Sequence, residues 1–312
     1  MWNLSQEVRE LNQNRRVQIL GMAQTILPPV DSLRLTVLAE DSVSAEKANL
    51  TAKHGLSIYV ETSLAGVETR ILMDAGPPPD IVVKNAGTMG IDMQQIKAIV
   101  ISHGHYDHAG GLIEILKRTS RAIPVVAHPL LFDPKFRLNP NLKFIGSQFD
   151  EATITAAGAV PLLARNPVRI VSGVMTTGEI DRVTEFEKAE GYWKVEGDRF
   201  VEDLMIDEQA LLINLKNKGL VVITGCAHAG IINTLRHAKK ITGINDVYAI
   251  VGGLHLMNAS DNRVQATLDE LVPMNTERVY PCHCTGSKAT QRLLGVFSDD
   301  CKPIQTGDTI NF

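Results

Sequence analysis

The chain has little of what a disulfide scaffold, a nucleic-acid binder or a membrane protein requires. Its cysteines number only four, Cys226, Cys282, Cys284 and Cys301, all in the last third of 312 residues. None has zinc-finger spacing, which argues against a closed four-cysteine zinc and fits reduced thiols without disulfides. Positive charge is not in excess: 31 Lys and Arg against 35 Asp and Glu leave a net charge of −4. No basic stripe interleaved with aromatics runs along the chain, so no general nucleic-acid surface is expected. No apolar run is long enough to span a bilayer, and the first ten residues lack the charged-then-apolar order of a signal peptide. These absences predict a soluble, cytoplasmic protein that acts on a small molecule and has no membrane partner. Nothing in them fixes an oligomeric state.

What is present suits an enzyme-sized body, with 44% hydrophobic and 21% charged residues to build a large core. Residues 1–32 read as an N-terminal extension, polar at first, then largely apolar from Ile19 to Leu27 and closed by Pro28-Pro29. Residues 33–312 carry strands alternating with helices. Strands are expected at 33–38, 56–61, 70–73, 98–102 and 123–127, then an irregular region to about Asp207, then a second series ending at 247–251 and 278–280.

The densest chemistry follows the apolar run at 98–102. His103-Gly104-His105-Tyr106-Asp107-His108 places three of the chain's nine histidines within six positions. Ala109-Gly110-Gly111 then bends the chain into a helix bearing Leu112, Ile115 and Leu116 on one face. His103 and His105, two residues apart in an extended segment, lie on the same side, whereas Asp107 and His108 sit where the chain begins to coil. One ion or two could be served, and imidazole with carboxylate suits zinc, manganese or iron(II).

An echo of this segment recurs: Val222 to Leu235 also reads strand, turn, His-Ala-Gly, helix, and predicts that His108 and His228 meet at a seam between two sheets. Two more strand ends carry histidine, at Gly252-Gly253-Leu254-His255 and Pro281-Cys282-His283-Cys284. Loops leaving strands are where α/β folds gather ligands. His228 and His283 are the stronger ligand candidates, His255 and His128 the weaker, and His237 is expected on a helix surface.

These residues resemble the metallo-β-lactamase superfamily, whose His-x-His-x-Asp-His signature stands here complete. The branch resembled is that of β-ribofuranosylaminobenzene 5′-phosphate synthase-like hydrolases. It is matched through His54-Gly55-Leu56-Ser57, Leu72-Met73-Asp74-Ala75-Gly76, Thr177-Gly178-Glu179-Ile180, Thr224 to Gly230, Gly252 to Leu256 and His283 to Gly286. The resemblance implies an α/β protein with an αββα sandwich of two mixed sheets and two divalent metal ions at their edge, zinc foremost, with manganese or iron as alternatives. It implies His103 and His105 as ligands of one ion, Asp107 and His108 of the other, and His283 as the last histidine. The pattern departs in the middle, where no histidine lies between His128 and His228 and the usual bridging aspartate falls near Cys226. His228 is therefore expected to supply the missing imidazole and Cys226 or a water to span the metals, with Asp203, Asp207 and Glu208 of lower rank. Asp74 is expected to orient a ligand imidazole.

The chemistry so implied is hydrolysis of a small ester or phosphoester, a phosphodiester foremost, by a metal-bound hydroxide, with Asp107 orienting or deprotonating the attacking water. A lactone would serve as well. The alternative that the branch suggests is a transferase joining an aminobenzoate to a phosphoribosyl donor, with pyrophosphate release requiring both substrates. A non-catalytic sensing module fits poorly with a complete ligand set. Cys282 and Cys284 read as packed thiols. Ser287 and Lys288 at a helix start, and Arg182 in a loop, are candidate holders of a substrate anion.

Overall fold

The computed structural model describes residues 27–119 and 122–312. The chain first lays down β1 (Ser32–Ala39), β2 (Ser57–Leu64), β3 (Val67–Met73), α1 (Ile81–Thr88), β4 (Ala98–Val100), α2 (Tyr106–Ala109), α3 (Leu112–Leu116) and β5 (Ile123–Ala127). A middle stretch adds β6 (Lys135–Arg137), β7 (Lys143–Phe144), α4 (Glu151–Ala156), β8 (Ala159–Leu163), β9 (Arg169–Val171), β10 (Val174–Thr176), β11 (Trp193–Glu196) and β12 (Arg199–Glu202). The last third contributes β13 (Leu211–Leu215), β14 (Gly219–Thr224), α5 (Ile231–Thr242), β15 (Val247–Gly252), α6 (Asp261–Leu271), β16 (Arg278–Pro281), α7 (Ser287–Phe297) and β17 (Thr309–Asn311).

Alternation along the strands explains the layers. In β2, Ile58 and Val60 face one core while Tyr59 faces another; in β14, Val221 and Ile223 join the first core while Leu220 and Val222 join a third. Period-two side chains on a strand covered on both faces feed two cores at once. The shared core lies between a seven-stranded sheet, β17-β1-β2-β3-β4-β5-β8, and a six-stranded sheet, β16-β15-β14-β13-β10-β9. Residues of α1, α3 and α4 pack on the outer face of the first sheet, and residues of α5, α6 and α7 on the outer face of the second. Each sheet mixes parallel and antiparallel pairs, as at β3–β4 against β2–β3 and β14–β15 against β13–β14. The result is an αββα sandwich. Fully burying each such Leu, Ile or Val contributes about 1.5–3 kcal/mol.

One reading of the sequence needs correction. The stretch before Asp207 is not irregular: it supplies α4, strands to both large sheets, and a separate four-stranded sheet, β12-β11-β6-β7. Strands this short leave no periodic signal to read. In the described part of the expected N-terminal extension, Leu27 and Val30 are buried and the Val30 amide donates to the Asn214 carbonyl at 2.8 Å. The rest of that expected extension lies outside the described residues. No described helix is long and apolar enough to cross a membrane.

Candidate metal centre

Parallel strands β3 and β4, and β14, β15 and β16, deliver their C-terminal ends to one seam. Asp74 follows β3, His103 to His108 follow β4, Cys226 and His228 follow β14, His255 follows β15 and His283 follows β16. Close approach at this seam depends on glycine: a Cβ on Gly104 would strike the Leu131 carbonyl oxygen, and one on Gly225 the Ser102 hydroxyl. Asp74, Ala227, His255 and His283 adopt the left-handed backbone region although none is glycine. Such strain persists only where surrounding structure enforces it, and it gathers at functional sites.

Hydrogen bonds orient the imidazoles. Asp74 accepts from the Ser102 amide at 2.6 Å, from the Ser102 hydroxyl at 2.8 Å and from His108 Nδ1 at 2.7 Å. The Ser102 hydroxyl in turn accepts from His103 Nδ1 at 2.8 Å. His283 Nδ1 donates to Asp41 at 2.7 Å, and the His283 amide to Glu40 at 2.7 Å. With each Nδ1 proton so engaged, the Nε2 lone pairs of His103, His108 and His283 turn inward.

There they converge. His103 Nε2 lies 3.0 Å from His105 Nδ1 and 3.3 Å from His228 Nε2. His108 Nε2 lies 3.2 Å from His283 Nε2 and 3.1 Å from Cys226 Sγ. Asp107 points at the second group, its Oδ2 3.6 Å from His283 Nε2 and 3.9 Å from His108 Nε2. Two ligand triads result, His103–His228–Cys226 and His108–His283–Cys226, each with its donor atoms within 4.8 Å of one another and with Cys226 common to both. Burial holds the His103, His105 and His228 imidazoles well below their ordinary range and therefore neutral. His105 Nε2 and His228 Nδ1 are buried without a partner, and imidazole nitrogens within the two groups crowd to 3.0–3.3 Å of one another. The donor set thus fits divalent metal.

His54, which the sequence offers only as part of a local motif, completes the wall. It shares Asp41 with His283, at 2.9 Å from its own Nδ1, and its Nε2 reaches Asp107 Oδ2 at 3.1 Å. The bonds to Asp107 first and Asp41 second raise its pKa to about 10, against the burial that opposes this. Asp41 in return, despite burial that would raise it, is held below the usual carboxylate range by the bonds from His283 and His54. Tyr192 is the other addition: its ring centroid lies 5.1 Å from that of His105 and 4.9 Å from that of His228, and its hydroxyl 3.3 Å from His255 Nε2. Neither stands near the signature in sequence, so spacing gave no signal.

Several candidates lie elsewhere. Asp203 and Asp207 hold the buried Lys135 at 3.1 and 3.0 Å, and Glu208 accepts from the Ala229 amide at 2.8 Å, so these three brace the centre from behind. His128 pairs with Glu179 at 2.8 Å. His237 is buried rather than on the surface, because its helix face packs on the loop where the Asp181 amide donates to its Nδ1 at 3.3 Å. None of the three candidate anion holders lines the cavity above the ligand groups. Lys288 is neutralised by Asp261 at 2.5 Å, Ser287 is exposed at the helix start, and Arg182 is turned inward to donate to the Met205 and His228 carbonyls at 2.8 and 3.4 Å. Cys284 reaches the cavity, whereas Cys282 packs into the inter-sheet core.

Above the ligand groups opens a cavity of about 840 Å³, with His54, His105, Asp107, His228, His255 and His283 among its lining residues. That volume is ample for a substrate of several rings.

Comparison with known proteins agrees with this geometry. The family model of the metallo-beta-lactamase superfamily matches residues 51–283. The 7,8-dihydropterin-6-methyl-4-(β-D-ribofuranosyl)-aminobenzene-5′-phosphate synthase of Methanocaldococcus jannaschii is 34% identical over 289 residues, 91% of this chain and 98% of the relative. An uncharacterised protein of the same organism is 31% identical over 242 residues, 78% of this chain and 88% of its own length. Among solved structures, that of Tm1679, a metal-dependent hydrolase of the β-lactamase superfamily, superposes with a TM-score of 0.75 at 27% identity, covering 89% of this chain and 98% of that one. With a complete signature, a sandwich of the right layering and a match over most of its length, this chain belongs to the metallo-β-lactamase superfamily.

Proposed function

We propose that this protein is a metal-dependent transferase that attaches a dihydropterin-6-methyl group to a ribofuranosylaminobenzene 5′-phosphate, rather than a phosphodiesterase. The observation that carries the reading is the end-to-end similarity to the Methanocaldococcus synthase, at 34% identity over 98% of that relative. The 840 Å³ cavity supports it, because two ring systems must lie together over one centre. The similarity favours a transferase over the hydrolase expected from the sequence, with a dihydropterin-6-methyl group transferred where the sequence suggested a phosphoribosyl group.

In the proposed step the aniline nitrogen bonds to the methyl carbon of a diphosphate-activated donor. The carbon–oxygen bond breaks with its electron pair leaving on the diphosphate, and the amine loses a proton. His103, His105 and His228 would hold one divalent ion, and Asp107, His108 and His283 a second, with Cys226 between them. When bound, such ions supply positive charge that polarises a phosphate ester and neutralises a leaving group. Asp74 and Asp41 keep the imidazoles aimed. Tyr106 and Tyr192, both lining the cavity, offer aromatic faces to the ring systems.

The test is diphosphate release from (7,8-dihydropterin-6-yl)methyl diphosphate, measured with and without 4-(β-D-ribofuranosyl)aminobenzene 5′-phosphate. Release is expected only when both are present and is lost in His105→Ala. Equal release without the amine, or efficient turnover of a chromogenic phosphodiester by wild type, would restore the hydrolytic reading.

A further inference from the structure

Three cations line the cavity without serving the ligand groups. Arg137 and Lys143 stand directly opposite each other in the antiparallel β6–β7 pair, so their side chains leave the same face. Like charges placed so destabilise a strand pair, and no carboxylate offsets them: among the described residues neither forms an ion pair. Arg137 instead donates to the Tyr192 hydroxyl at 3.2 Å, and the Lys143 ammonium lies 5.4 Å from the Tyr106 ring. Arg263, near the start of α6, lines the same cavity. One of its guanidinium nitrogens is used by the Lys188 carbonyl at 2.9 Å, while its Nε is buried with no partner. Glu190, the carboxylate at the rim, pairs with none of them.

We propose that Arg137, Lys143 and Arg263 form a subsite for a phosphomonoester dianion, a phosphate that the reaction leaves intact. Cations with unspent donors lining one cavity match a doubly charged group, and guanidinium forks match its oxygens. Tyr192 links this subsite to the ligand groups: its ring centroid lies 5.2 Å from the Arg137 guanidinium carbon and 5.1 and 4.9 Å from the His105 and His228 rings. A phosphate held on Arg137 shares the Tyr192 ring with the candidate metal centre and acts as a handle, whose binding energy positions the rest of the molecule. The inference rests on the transferase reading, in which the sugar 5′-phosphate is retained in the product.

The experiment is calorimetric titration of the metal-loaded full chain with ribose 5-phosphate and with ribose. Ribose 5-phosphate is expected to bind at least about tenfold more tightly than ribose. Arg137→Met and Lys143→Met should each weaken ribose 5-phosphate by about tenfold, and the pair should remove the difference from ribose. Lys143 is exposed, so its variant tests the subsite even if Arg137→Met folds poorly, and Lys117→Met, outside the cavity, should bind as wild type does. Equal affinity of wild type and the double variant would overturn the subsite, as would release of inorganic phosphate from ribose 5-phosphate by the wild type. Phosphate-dependent binding in a protein that fails to condense the two substrates would count against the transferase alone. Condensation that is indifferent to both substitutions would count against the subsite alone.

Discussion

Asp74 governs more of the centre than one carboxylate would suggest. It holds His108 directly and His103 through the Ser102 hydroxyl, and so reaches into both ligand groups. Asp74→Ala should therefore weaken metal binding by about 10–100-fold, the usual cost of losing a group that orients a ligand. Competition with a chromophoric chelator measures this, and unchanged affinity would mean that packing alone aims the imidazoles. His228 and His255 are separated by the same logic. His228 Nε2 faces His103 Nε2 at 3.3 Å, whereas His255 is turned toward the Tyr192 hydroxyl. His228→Ala should lose more metal per chain than His255→Ala, and equal retention would place the third imidazole of that group elsewhere.

At the scale of elements, the seam is braced by an ion cluster. Lys135 on β6 reaches Asp203 and Asp207 ahead of β13, and Asp207 also accepts from the Gly104 amide at 2.8 Å, inside the signature loop. Lys135→Met would leave two buried carboxylates without their cation, at a cost of about 3–5 kcal/mol. Urea unfolding should show that loss, and a change below about 1 kcal/mol would mean that water has taken the place of the ammonium. The same elements show what the sequence discloses. Apolar runs such as Ile99 and Val100 or Val247 to Val251 mark buried parallel strands, and the signature marks the loop after one of them. Lys135 gives no such warning, since lysine is ordinarily exposed. Asp41 is equally silent, and His54 shows only as part of a local motif, because their partners, His283 and Asp107, are brought to them only by the fold. Lys288 and Arg182 likewise look free in the sequence, but the fold supplies each with a partner.

Across the whole molecule, the candidate ligands come from both large sheets, His103 to His108 from the seven-stranded and Cys226, His228 and His283 from the six-stranded. Metal bound there would tie the two halves of the sandwich together, and a ligand at a thousand times its Kd stabilises the native state by about 4 kcal/mol. Chelation should lower Tm by several degrees, and adding back a divalent ion should restore it; a Tm indifferent to chelation in protein shown to have lost its metal would break that link. The most direct measurement is the metal content per chain of saturated, desalted protein, determined by mass spectrometry of the elements. Wild type should hold about two equivalents, with His228→Ala and Asp107→Ala each reduced. Saturation at a single equivalent, or full retention after His103 and His108 are both replaced by alanine, would contradict a centre built from two ligand groups around Cys226.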